Sequence, residues 1–152
     1  MLTMKRICVF AAGLLLWACA GAQTKDVKQE AAVTYLSTAA FKEKVHDYNA
    51  NPDTWKYKGN KPCLIDFYAD WCRPCKMLSP IIEELAEEYR GQILVYKVNV
   101  DNERELSAAF GIQSIPTLLF VPQEGTPAIQ AGMMGKDQLK GIIDQFLLGK
   151  DK

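Results

Sequence analysis

Two short apolar runs constrain the fold of this chain most: CLIDFYA at Cys63–Ala69 and ILVYKVNV at Ile93–Val100. The first is short, apolar and bounded by turn-forming residues, so it is expected to be a buried strand, and the second is expected to be another. Between them, residues 73–89 read as a helix that Gly91 ends. Pro80 lies inside it and should kink it, because its ring nitrogen carries no hydrogen to donate. TLLFV at Thr117–Val121 is a third strand, PQEGTP a turn, and Ala128–Met133 the returning partner of a hairpin. Strand–helix–strand followed by a hairpin predicts an α/β fold with a central mixed β-sheet and helices on both faces.

The remaining segments fit around that frame. Val33–Leu36 is a candidate first strand, and Ser37 or Thr38 can cap a helix running to about Asn49, with Phe41 and Val45 on its inner face. Residues 49–62, rich in Asn, Gly and Pro, read as a loop. Glu103–Phe110 reads as a short helix stopped by Gly111. Asp137 can cap a last helix with Leu139, Ile142, Ile143 and Phe146 facing inward.

The first 22 residues read as something other than this domain. Lys5 and Arg6 precede the apolar run Ile7–Ala18, and Ala20-Gly21-Ala22 follows as a small-residue cleavage site: a secretory signal peptide that would leave Gln23 first. A competing cut would leave Cys19 as a lipidated N-terminus, although Trp17 is bulky for such a signal. Residues 23–32 are polar and expected to be a flexible leader, with the folded domain spanning 33–150. Loss of residues 1–22 removes Lys5 and Arg6 and no acid, leaving 16 basic residues against 18 acidic ones. Such a balance gives no basis for capturing nucleic acid.

Only Cys63, Cys72 and Cys75 lie beyond the signal region, too few for a disulfide scaffold but enough for one redox pair and one bystander. Cys72 falls where a strand ends and a helix begins. Unpaired N–H groups at a helix start favour negative charge, so a thiolate there is stabilised. Cys75 is one turn further on and within reach. A zinc site would need more ligands, and the candidates are Cys63 on a buried strand and His46 on a distant helix. A purely structural disulfide closing so small a loop would stabilise little. Asp66 interrupts the apolar strand, where a buried carboxylate is costly and its pKa should rise; the alternative is that it points outward at an edge.

DFYADWCRPCK resembles the active-site stretch of the thioredoxin family, and VYKVNVD at 95–101, GIQSIPTLLF at 111–120 and Gly132 follow in the family's order. The similarity runs from about Val33 to Leu148 and, with the export signal, implies a bacterial periplasmic member with the thioredoxin fold. It implies that Cys72 is an exposed nucleophile and Cys75 a buried resolving thiol. Asp66 would handle the proton of Cys75, and Lys97 would accompany it. Trp71, Arg73, Pro74, Ile115, Pro116 and Gly132 would form the substrate-docking surface, with a cis peptide bond before Pro116 and substrate backbone pairing beside it. No metal or cofactor is implied. The implied partners are disulfide-containing exported proteins and a membrane thiol-electron donor, and a monomer is expected.

The chain departs from the family pattern at two places in this stretch. Arg73 stands where thioredoxins most often carry glycine, and a cation there favours the dithiol and hence a more oxidising pair. Tyr68 stands where many members carry tryptophan. The resemblance implies a disulfide reductase, and Arg73 pulls against that direction of electron flow. A disulfide oxidase or isomerase on the same fold, and a non-catalytic docking module, are the alternatives. Cys63 is expected to be a buried inert thiol, and His46 is expected to be solvated on its helix. Trp55 and Tyr57 are expected to pack over the first helix rather than form a partner surface. Met77, Met133 and Met134 could line the substrate groove, with core packing an equal alternative for Met77.

Overall fold

The computed structural model describes residues 32–150. The proposed signal peptide, its cleavage sites and nearly all of the leader lie outside these residues. The elements run β1 (Thr34–Tyr35), α1 (Thr38–Lys44), β2 (Cys63–Tyr68), α2 (Arg73–Glu88), β3 (Leu94–Asn99), α3 (Arg104–Ala109), β4 (Thr117–Val121), β5 (Ala128–Ala131) and α4 (Lys136–Ile142), which continues as a π-helical turn over Ile143–Leu147. The five strands form one sheet in the order β1-β3-β2-β4-β5. β1 and β2 lie parallel to β3, whereas β4 runs antiparallel to both β2 and β5. The expected mixed sheet is therefore present, with the two apolar runs at its centre.

Strand alternation divides the core into two layers. On one face Leu64, Val95, Leu118 and Phe120 pack against Leu78, Ile82 and Leu85 of α2 and against Leu139, Ile143 and Leu147. On the other, Cys63, Ile65, Phe67, Tyr96, Val98, Leu119 and Val121 pack against Phe41 of α1 and Leu106 of α3. This is why β2 and β4 read as continuous apolar runs: both of their faces are covered.

Four expectations are corrected here. The first helix ends at Lys44, not near Asn49. Asp47 Oδ1 accepts the N–H groups of Asn49 and Ala50, a local turn that competes with helix, and Lys58 N–H donates to the Val45 carbonyl, drawing the loop back. His46 is consequently off the helix and only 5% exposed, stacked 4.3 Å from the Trp55 ring. Its Nδ1 accepts the Lys56 N–H. Trp55 and Tyr57 pack as expected against the cluster holding Phe41 and Val45.

The last helix starts from Gly135 rather than Asp137, which lies in its first turn. Phe146 is 40% exposed while Leu147 is 5% exposed. The wider π turn carries each fourth residue, Leu139, Ile143 and then Leu147, back to the inner face and turns Phe146 outward.

Candidate active site

The site is built where β2 leaves the sheet and α2 begins. Cys72 is the N-cap of α2 in an extended conformation, and its Sγ accepts the backbone N–H of Cys75 at 3.2 Å. Pro74 sits in the first turn, where its missing N–H costs nothing and its fixed φ suits a helix. Cys72 and Cys75 are joined as a disulfide with Cα atoms 5.3 Å apart. Both are 3% exposed, so in this disulfide form Cys72 is not the more exposed of the two, contrary to expectation. They pack with Ala69 against Tyr68, Val100 and Ile115. The hydrogen bond from Cys75 N–H marks where a Cys72 thiolate would be held once the pair is reduced.

Trp71 stands beside the pair, 70% exposed, its indole N–H donating to Asp101 Oδ2 at 2.8 Å. Arg73 and Pro74 are exposed. The Ile115–Pro116 bond is cis, the Pro116 carbonyl accepts the Gly132 N–H at 2.8 Å, and Gly132 has a φ of 94° that favours glycine. Ile115 is partly buried against the cysteines. Met77 is 55% exposed, which removes core packing as its role, and Met133 is exposed too; Met134 packs partly into the core.

Asp66 and Lys97 meet beneath α2. They are register partners on β2 and β3, and both point to the face that α2 covers, as do Leu64 and Val95. Asp66 is fully buried, which excludes the outward-pointing alternative. Lys97 Nζ lies 3.6 Å from Asp66 Oδ2, an ion-pair distance too long for a hydrogen bond, and neither carboxylate oxygen has a hydrogen-bond donor among the described residues. Burial pushes the Asp66 carboxyl up to about 6, with Lys97 pulling in the opposite direction. The Lys97 ammonium donates instead to Ser79 Oγ and lies 4.8 Å over the Tyr68 ring.

Cys63 sits on the opposite face of β2 from Asp66, fully buried, and burial pushes its thiol up to about 12. It is inert by that measure, as expected. Among the described residues no three His, Cys, Asp or Glu side chains converge on a point where a metal could sit.

The sequence reading missed two residues. Asp101 follows directly on VYKVNV, so its place at the same sheet end as Trp71 was implicit in the strand. Ser79 lies one turn beyond Cys75 on the inner face of α2, where a hydroxyl among Leu78 and Ile82 needs a partner; that mismatch was the available signal.

The thioredoxin family model matches residues 32–145. Among curated relatives, the thioredoxin of Borreliella burgdorferi is 46% identical over 111 residues, covering 73% of this chain and 94% of that protein. The thioredoxin of Haemophilus influenzae is 39% identical over 105 residues, covering 69% and 98%. Among solved structures, a mutant thioredoxin from Halobacterium salinarum NRC-1 aligns with a TM-score of 0.60 at 30% identity, covering 76% of this chain and 90% of that one. Chloroplastic thioredoxin z aligns with a TM-score of 0.63 at 26% identity, covering 74% and 92%. The chain therefore belongs to the thioredoxin family of protein-disulfide oxidoreductases, which work through a cysteine pair and need no cofactor.

Proposed function

We propose that the protein is exported and reduces disulfides in other exported proteins, and that a membrane thiol-electron donor returns it to the dithiol form. The observation that carries the chemistry is the Cys72–Cys75 pair at the start of α2 with the ionisable Asp66 buried beneath the same helix.

In the reduced protein the Cys72 thiolate, held by the helix start, attacks one sulfur of a substrate disulfide. A Cys72–substrate disulfide forms and the other substrate sulfur leaves as a thiolate that takes a proton from water. Asp66 accepts the proton of Cys75, and the Cys75 thiolate attacks Cys72 Sγ. The Cys72–Cys75 disulfide forms and the second substrate thiolate departs. The substrate gains two electrons and the cysteine pair loses them. Because the Asp66 carboxyl is held at about 6, it is mostly ionised at neutral pH and can take that proton, yet binds it well enough to matter. Trp71, Arg73, Pro74 and Gly132 frame the docking surface, and substrate backbone pairs beside Ile115 and Pro116.

Export rests on the pattern of Lys5, Arg6, the apolar run and Ala20-Gly21-Ala22. The intact mass of the protein recovered from its native host tests it. A chain starting at Gln23, or one acylated at Cys19, supports export, whereas a chain retaining Met1 and found with cytoplasmic markers contradicts it.

A second reading, oxidase or isomerase, is favoured by Arg73 and by the oxidising compartment that export would give. The Arg73 cation sits in the first turn of α2 beside Cys72, but it is exposed and therefore screened by salt. A Cys75→Ser variant tests the exchange itself: it should accumulate mixed disulfides through Cys72, while Cys72→Ser should accumulate none. Equal capture by both variants would overturn the assignment of nucleophile and resolving thiol.

A further inference from the structure

Lys97 has three possible partners, and the one it bonds is not the one its charge favours. Its ammonium is buried, 3.6 Å from Asp66 Oδ2 and 4.8 Å over the Tyr68 ring, and it donates to Ser79 Oγ. The Ser79 hydroxyl hydrogen is committed outward, to Glu83 Oε1 at 3.3 Å, which leaves an oxygen lone pair aimed at Lys97. α2 therefore supplies a two-step tether, Glu83 to Ser79 to Lys97, running from the exposed surface to the buried pair.

We propose that Ser79 is a positioning residue whose hydroxyl holds the Lys97 ammonium short of a hydrogen bond with Asp66, leaving the carboxylate unpaired and able to take a proton. A direct charge-assisted hydrogen bond would lock Asp66 in its ionised form and make it a poor proton acceptor. With Ser79 in place, Lys97 tempers the buried charge without quenching it. Where a rate is read, the inference rests on Asp66 being the proton acceptor for Cys75; where the Asp66 titration is read, it does not.

The polar groups against this pair are Tyr68 on β2 and Ser79 on α2, with Glu83 behind Ser79 and Cys75 buried on the same helix. A cleft of about 180 Å³ beside Lys97 adds Tyr35 from β1, together with Asn99 and Glu103. Tyr68 has its phenol pushed up by burial, so it stays neutral where Asp66 titrates. Glu103 Oε2 is engaged by the Thr38 backbone N–H and hydroxyl, both at 2.7 Å. None of these offers Lys97 an alternative anion at the distance Asp66 does.

The test is the titration of the Asp66 carboxyl carbon, followed by NMR in the reduced protein, for the wild type, Ser79→Ala and Ser79→Thr. Alanine is a better helix former than serine, so α2 should persist, and urea denaturation checks that it does. In Ser79→Ala the ammonium loses its hydroxyl and closes on Asp66, so the midpoint should fall by about half a unit or more, a roughly threefold weaker hold on the proton. Ser79→Thr keeps the hydroxyl and should restore the wild-type midpoint. In a Lys97→Met background Ser79→Ala should have no effect. An unchanged or raised midpoint in Ser79→Ala, a Thr variant that behaves like Ala, or a shift that persists without Lys97 would each overturn the inference. If the midpoint falls as expected while the pH profile of disulfide reduction stays fixed, the positioning role stands and Asp66 is not the proton acceptor.

Discussion

Asp66 is a fully buried acid, and that has a thermodynamic signature. Its carboxyl is raised from an ordinary value of 3.8 to about 6, so between those values the folded chain binds a proton that the unfolded chain has released. Stability therefore falls as pH rises through about 4 to 6 and stays lower above it, by an amount on the order of 3 kcal/mol. Asp66→Ala removes that cost, while Lys97 keeps Ser79 and the Tyr68 ring as partners. After allowing for the small cavity, the variant should be about 1–2 kcal/mol more stable than wild type at pH 8 and no more stable at pH 4, read by urea denaturation at both. It should also reduce disulfides more slowly at neutral pH. A variant destabilised at pH 8 would mean that the carboxylate is paired better than its geometry indicates. The residue itself was legible, because an acid in CLIDFYA has few reasons to be there. What holds it was not: Ser79 reaches Lys97 across 18 positions of sequence, through a contact that only the packing of α2 on the sheet creates.

At the scale of elements, caps and apolar spacing were readable and endpoints were not. Ser37 caps α1 as its type suggests, its side chain accepting the Ala40 N–H at 3.2 Å. Ser37→Ala should cost about 1 kcal/mol. Where α1 stops depends on Asp47 turning the backbone and on Lys58 returning to Val45, and the second of these is a contact between distant parts of the chain. The last helix shows the same limit. A regular helix places Phe146 on the inner face, but the π turn puts Leu147 there. Leu147→Ala should therefore cost about 2–5 kcal/mol, whereas Phe146→Ala should change stability by less than about 1 kcal/mol. Paired chemical-denaturation curves for the two variants separate the alternatives, and the reverse order of costs would restore the regular helix.

At the scale of the whole molecule, the mixed sheet was legible because two strands buried on both faces, with a helix between them, admit few arrangements. The cysteine pair was legible for a related reason: its place at a strand–helix junction has chemical meaning before any packing is known. Burial at the site was not legible. The equal 3% exposure of Cys72 and Cys75 depends on Tyr68, Val100 and Ile115 arriving from β2, from beyond β3 and from before β4. The central claim is that this pair, on this scaffold, delivers electrons to protein disulfides. Arg73 and the oxidising compartment proposed for it push toward the opposite direction of flow. The equilibrium reduction potential of the Cys72–Cys75 pair, measured against glutathione in the purified protein, decides between them. A value near about −270 mV is the predicted result and fits a reductant. A value between about −180 and −120 mV would contradict it and make the protein an isomerase or oxidase.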